Sequence, residues 1–335
     1  EIFEQPQAIR KALIQDRNLL VDMAMTILRS PNVIFTACGT SRHAALIGRY
    51  AFSRIGGKFS DVILGSEFEY FSDAVDKNTL VIAVSQSGET ADVITGVKKA
   101  KESGATVFSI VNVVGSSLTR MSDKSLYLNC GPEIGVAATK SFMGQLIVLY
   151  LLAFAMGNRL DEGIEKMRDI SYLVDKNIRD NNERISKLAD KLKNREDLYY
   201  IARGINFAIA GEGALKLKEV AYAHAEGMPA GELKHGTLAL IESGTPVVTI
   251  CPSDYTFQST VSNASEAKVR GGLIIGVSDK EDPIFDEWIP VPPVDEIFYP
   301  LVTVIGLQLF AYRYAVARGL DPDMPRNLAK SVTVK

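Results

Sequence analysis

The stretch VIFTACGTS, residues 33–41, decides how the chain is read. An apolar, β-branched run of strand length ends in Cys-Gly and passes directly into a helical pattern from Ser41, the strand-turn-helix unit of a parallel α/β sheet. It has a counterpart in LYYIARGIN, 198–206, which ends in Arg-Gly and becomes helical from Asn206. Further runs of the same kind are LVIAVS (80–85), TVFSIV (106–111), PVVTIC (246–251) and LIIGVS (273–278). They recur at an offset of 165 or 166 residues, pairing Gly39 with Gly204, Val81 with Val247 and Val107 with Leu273. That repeat predicts an α/β protein of two similar doubly wound, flavodoxin- or Rossmann-like subdomains with parallel sheets.

Working outward, residues 162–197 are highly charged with apolar residues at helical spacing, so a helical connector joins the halves. The expected division is 1–158 for the first subdomain, 159–320 for the connector and second subdomain, and 321–335 for a C-terminal tail. With 335 residues, 47% hydrophobic and 23% charged, the chain is neither disordered nor fibrous, and each half is expected to bury a core of its own. A net charge of −3 without a Lys/Arg block lacks the footprint of nucleic-acid or anionic-membrane binding. The most lipid-like stretch, Leu146 to Met156, is about half the length of a membrane span. Cys38, Cys130 and Cys251 stand far apart in or beside apolar runs, which fits reduced thiols of a cytoplasmic protein. His43, His224 and His235 have no metal-binding spacing, so no metal is expected. The opening EIFEQPQAIRKAL has neither a Met nor a signal pattern, and the chain is expected to begin inside a longer gene product.

Three segments carry chemistry. SQSGETAD, 85–92, follows a strand and precedes a helix, gathering Ser85, Gln86, Ser87 and Thr90 at one helix N-terminus. Four polar side chains exceed what one cap requires, and the expected ligand is a phosphate ester. CGTS, 38–41, ends the first strand in the same way and places Thr40 and Ser41 nearby. The segment 208–227 reads as a buried helix with Glu212, Lys216 and Glu219 on one face and Lys218 elsewhere, a stripe able to move protons between adjacent carbons. The fragment GEGALK superficially matches a dinucleotide fingerprint but follows no strand, and no P-loop is present, so no nucleotide cofactor is expected. Lys234 and His235 lie in a glycine-bounded loop, and Lys330 lies among apolar residues of the tail, where a desolvated amine becomes nucleophilic towards carbonyls.

Together CGTS, SQSGETAD, GVAATKSF (135–142), EGALKLKE (212–219), GELKHG (231–236) and NLAKSVTV (327–334) closely resemble the sugar-isomerase (SIS) half of the glutamine:fructose-6-phosphate aminotransferase family. The resemblance implies synthesis of glucosamine 6-phosphate from fructose 6-phosphate, with residual interconversion of fructose and glucose 6-phosphates and no cofactor. It assigns Ser41, Ser85, Gln86, Ser87 and Thr90 to the phosphate, and Thr40 and the Val136 backbone to the sugar. Lys330 would form the imine, Glu219 would shuttle the proton between carbons 1 and 2, Lys216 and Glu212 would support it, and His235 would open the ring from a second subunit of a dimer. A glutaminase half is implied upstream, and without it ammonia replaces glutamine. The chain departs from the family at Gly211, where a larger apolar residue is usual, and at Lys335, where an acidic end is usual. A stand-alone glucosamine-6-phosphate deaminase and a non-catalytic sugar-phosphate regulator are the alternatives.

Overall fold

The computed structural model describes residues 1–334, so Lys335 lies outside the described residues. The first half runs α1 (Gln5–Ala12), α2 (Arg17–Arg29), β1 (Asn32–Ala37), α3 (Gly39–Arg54), β2 (Asp61–Leu64), α4 (Gly65–Phe71), β3 (Thr79–Ser85), α5 (Ala91–Glu102), β4 (Thr106–Val111), α6 (Ser117–Met121), β5 (Lys124–Tyr127) and α7 (Lys140–Met156). The connector is one helix of 33 residues, α8 (Leu160–Leu192). The second half runs β6 (Asp197–Ala202), α9 (Phe207–Ala221), β7 (His224–Pro229), β8 (Pro246–Ile250), α10 (Phe257–Lys268), β9 (Leu273–Ser278), β10 (Glu287–Pro290) and α11 (Tyr299–Ala317).

Both sheets are wholly parallel, ordered β2-β1-β3-β4-β5 and β10-β9-β8-β6-β7. Numbered within its own half, the second sheet read backwards has the order of the first. The 165-residue repeat is thus a repeat of topology. Each half turns from its first strand into a helix through a glycine in the left-handed region, Gly39 at φ 52° and Gly204 at φ 57°, a conformation that costs residues with a Cβ more. In each half the order reverses beside the first strand, and ligands of doubly wound sheets bind at the carboxyl ends of strands flanking that point. The loops after β1 and β3, carrying CGTS and SQSGETAD, lie there.

The six strands read from sequence are all present, and the structure adds β2, β5, β7 and β10. These four are the edge strands of the two sheets. A central parallel strand is covered on both faces and reads as an apolar run, whereas an edge strand is short and half-wet. The helix expected over 208–227 is shorter: α9 stops at Ala221, Tyr222 takes the left-handed conformation at φ 56°, and His224 begins β7 against β6.

Separate cores are found only on the outer faces, one under α4 and α5 and one beneath α10. Between the sheets a single core runs from Ala8 to Ala315 and takes in both halves. The reason lies in α7 and α11, which are apolar nearly all round and are buried along almost their whole length, so neither can be shared with water. The stretch Glu296–Ala317 is long and apolar enough to cross a bilayer, longer than the segment singled out from sequence, but 78% of its most apolar window is buried, packed against α8 and α9.

Candidate active site

The helices α3 and α9 leave the first strands of their sheets in equivalent positions and pack against each other. Their contact brings residues of both halves into one network. On α9 the side chains of Glu212 and Lys216 are 0% and 2% exposed, Glu219 is 23% exposed, and Lys218 points to solvent. The i, i+4, i+7 stripe read from the sequence therefore faces inward. Lys216 Nζ lies 2.5 Å from Glu219 Oε2 and 3.5 Å from Glu212 Oε1, and it donates to Thr40 Oγ1 at 2.9 Å. Thr40 donates onward to Glu212 Oε1 at 3.1 Å. Burial on its own pushes the Lys216 ammonium towards its neutral form, but the carboxylates of Glu212 and Glu219 outweigh it and hold its pKa above the ordinary value.

In the second cluster Ser85 Oγ accepts the Gly88 N–H at 3.0 Å and lies 3.1 Å from Thr90 Oγ1, while Ser87 Oγ accepts the Glu89 N–H at 3.1 Å. Thr90 stands at the N-cap of α5 without capping it through its side chain. The hydroxyls therefore shape the loop at the N-terminus of α5, a kind of helix end that in general favours negative charge. Ser41 is buried beside this region, and its Oγ accepts from Gln145 Nε2 of α7 at 2.8 Å. Its own hydroxyl hydrogen is left free to donate.

The tail joins the two clusters. Lys330 Nζ lies 2.7 Å from Glu133 Oε2 and 2.8 Å from the Gly135 carbonyl, and two residues on the Val332 carbonyl accepts the Ala91 N–H at the start of α5 at 3.1 Å. Upstream, the Val136 N–H donates to the Asp323 carbonyl at 3.2 Å, so that residue has only its carbonyl to offer a sugar. A cavity of about 250 Å³ opens beside Lys216, lined also by Gly135, Thr139, Gln308 and Asp323. The tail is thus docked by named bonds.

Glu133 is a residue the sequence reading passed over, although it precedes the quoted GVAATKSF. Its side chain is wholly buried and takes the Thr139 N–H at 2.8 Å and the Ser141 N–H and hydroxyl at 3.1 and 2.5 Å. Burial on its own raises its pKa, but Lys330 and the Ser141 and Thr139 donors outweigh it and keep the carboxyl below its usual range. A depressed carboxylate stabilises the fold above its ordinary pKa and ceases to do so as pH falls through its folded value. Docking of Lys330 is therefore expected to hold at neutral pH and weaken only in acid. Glu133→Gln is expected to make the tail about tenfold more susceptible to trypsin at pH 7, read from the rate of C-terminal trimming. Unchanged trimming would mean that Lys330 does not hold the tail through Glu133.

His43 and Gln145 were also missed, because nothing in their spacing marks them; only the packing of α3 on α9 and α7 brings them in. His235 ends an exposed 3-10 turn, Ala230–His235, that packs against α10, and it lines neither cavity bordered by Lys216 or Glu219. The structure brings Thr40, Glu212, Lys216 and Glu219 together, and Lys330 beside Val136, but leaves His235 outside. Among the described residues no group of three or more His, Cys, Asp or Glu could hold a metal ion.

Two equivalent parallel sheets, a hydroxyl-rich loop at the switch point and a buried acid–lysine network are features of a ligand-binding α/β site. The chain belongs to the SIS domain family, whose model matches residues 26–155 and 191–318. It is similar along its whole length to glutamine–fructose-6-phosphate aminotransferases (isomerizing), at 49% identity to that of Thermococcus kodakarensis and 47% to that of Pyrococcus horikoshii. It spans 57% of the length of these relatives. Among solved structures it matches the C-terminal domain of glucosamine-fructose-6-phosphate aminotransferase from Francisella tularensis with a TM-score of 0.90 and 31% identity, over 97% of this chain and 96% of that one. The fold is also that of a glucosamine-6-phosphate deaminase from Thermotoga maritima, at a TM-score of 0.74 and 21% identity, over 98% of this chain and 99% of that one.

Proposed function

We propose that the chain is the isomerase domain of a glucosamine-6-phosphate synthase, converting fructose 6-phosphate and ammonia to glucosamine 6-phosphate and water. The observation that carries this reading is the tail, which pairs Lys330 with Glu133, whose charge reaches Lys216 of the buried network, and straps Val332 onto the start of the helix that follows the Ser85–Thr90 loop. One end of the substrate is held by its phosphate through the Ser85–Thr90 loop and Ser41, and the other end meets the lysine and the carboxylate. Lys330 attacks the carbonyl at carbon 2 and water leaves; ammonia then displaces the lysine, so the nitrogen stays on carbon 2. The iminium withdraws electrons from carbon 1, Glu219 removes a proton there and returns it to carbon 2, and the aldehyde forms at carbon 1. Lys216 keeps Glu219 oriented, and Glu212 with Thr40 orients Lys216. Gln86 and the Val136 carbonyl complete the substrate contacts.

In this reading His235 opens the sugar ring in the site of a second copy, which makes the working enzyme a dimer. Glutamine is hydrolysed by a preceding glutaminase domain, within the length by which the relatives exceed this chain. Three unpaired thiols fit a reducing, cytoplasmic setting. The division at 158/159 and 320/321 keeps the reactive lysine on its own C-terminal segment.

The direct test is product analysis by NMR from fructose 6-phosphate with and without ammonium chloride, and from glucosamine 6-phosphate. Glucosamine 6-phosphate with ammonium, and slow glucose 6-phosphate without it, are expected. Fast net deamination in the third sample would replace the synthase by a deaminase, and silence in all three would replace it by a sugar-phosphate regulator. Ser85→Ala, which removes the hydroxyl shared by Gly88 and Thr90, is expected to raise KM for fructose 6-phosphate about tenfold with kcat within about threefold. A loss confined to kcat would take the phosphate away from this loop.

A further inference from the structure

His43 has no part in the mechanism above, yet the most deeply buried carboxylate of the site rests on it. It is the fifth residue of α3, three residues after Thr40, with its side chain 12% exposed and Nδ1 2.7 Å from Glu212 Oε2. An ionised carboxylate only accepts, so the imidazole nitrogen facing it is the donor. The remaining partners of Glu212 are the Thr40 hydroxyl and Lys216, and Lys216 stands closer to Glu219, at 2.5 Å, than to Glu212, at 3.5 Å. One ammonium thus serves two carboxylates. Glu212 is wholly buried, so as the carboxylate with the longer ion pair it needs other donors to hold its charge. Gly211 leaves room for this contact, since a Cβ there would stand 2.9 Å from His43 Nε2 and 3.2 Å from Cδ2.

We infer that His43 is a positioning residue of the site: by donating to Glu212 it stops that carboxylate from drawing Lys216 away from Glu219. The inference rests on reading Glu219 as the group that moves the proton. When the donor is removed, Glu212 takes a fuller share of Lys216 and Glu219 loses part of its ion pair. A carboxylate that loses its lysine holds a proton more tightly, so the acid limb of the activity profile moves to higher pH. The charged and titratable groups around the pair are few. Lys216 comes from α9 itself and His43 from α3. Glu133 comes from the loop before α7, and its charge reaches Lys216. Lys330 of the tail is paired with Glu133, and Arg326 shares a cavity with Glu219, Lys218, Tyr222 and His224. Of these, only His43 and Lys216 touch Glu212.

The test compares the wild-type chain with His43→Leu, His43→Asn and Gly211→Ala, measuring kcat and KM for fructose 6-phosphate with ammonium across pH. For His43→Leu, kcat at neutral pH is expected to fall about 10- to 100-fold, the acid limb to rise by about one pH unit, and KM to stay within about threefold because the anion cradle is untouched. His43→Asn, whose amide can donate to Glu212, is expected to restore the wild-type profile. Gly211→Ala, which displaces the ring, should shift the limb in the same direction by less, and it carries the test if His43→Leu does not fold. An active wild type beside a folded His43→Leu of unchanged profile, or a folded His43→Asn as impaired as His43→Leu, overturns this role alone. A wild type that turns over no fructose 6-phosphate overturns the reading of the site, and this role with it.

Discussion

Lys330→Ala is expected to lower the rate of isomerisation of fructose 6-phosphate by about 10³-fold or more, equivalent to about 4 kcal/mol of barrier. The loss is one of chemistry, because the anion cradle lies on other elements. Yet Lys330 is also the group that pairs with Glu133 and the Gly135 carbonyl, so alanine removes an anchor of the tail along with the nucleophile. Lys330→Arg separates the two: a guanidinium keeps the charge and the Glu133 partner but forms no imine. The arginine variant is expected to resist tail trimming as the wild type does and to be as inactive as the alanine variant. Borohydride added during turnover is expected to fix the hexose phosphate on the wild-type chain at residue 330, read by mass spectrometry, and on neither variant. Full activity of Lys330→Ala with normal binding would end the imine role and leave the network on α9 without its electrophile.

The second large effect is on stability. Lys216→Met keeps the side chain's length and apolar stem but removes the ammonium shared by Glu212 and Glu219. Breaking a buried pair by deleting one partner costs about 3–5 kcal/mol, because the remaining charge is stranded in low dielectric. The sign of the pH dependence follows. In the wild type the Lys216 pKa is raised, so its contribution is complete below the unfolded value and is lost only as strongly alkaline pH passes the folded one; across neutral pH it is constant. In the variant the two carboxylates are left without the ammonium between them, so a lowered melting temperature is expected already at pH 8, where the wild-type contribution of Lys216 is complete. Activity should fall with the orientation of Glu219. A Lys216→Met chain as stable as the wild type at pH 8 would mean that Lys216 does not hold the two carboxylates in place, and the network would have to be redrawn.

Much of this protein can be read from particular residues. The six central strands are legible because each is covered on both faces and so must be apolar throughout, and the glycines at 39 and 204 mark the turns after the two first strands. The stripe Glu212, Lys216, Glu219 is legible because helical geometry alone puts i, i+4 and i+7 on one face. The edge strands β2, β5, β7 and β10 are not, since half-wet strands carry no continuous apolar signal; the end of α9 was misplaced for the same reason, as β7 begins where a helix was expected to continue.

By itself the sequence determined the α/β repeat, the parallel sheets, the hydroxyl-rich loop before α5 and the charged face of one helix. These are local matters of periodicity, turn chemistry and side-chain inventory. Only the tertiary structure decided which groups meet: that α3 of one half supplies Thr40 and His43 to α9 of the other, that Glu133 receives the tail lysine, that the two inner faces share one core, and that His235 stands apart within this chain. Such contacts join residues more than a hundred positions apart. They are selected by the burial of α7 and α11 between the sheets, a force that depends on total apolar area and leaves no mark on the individual polar residues it brings together.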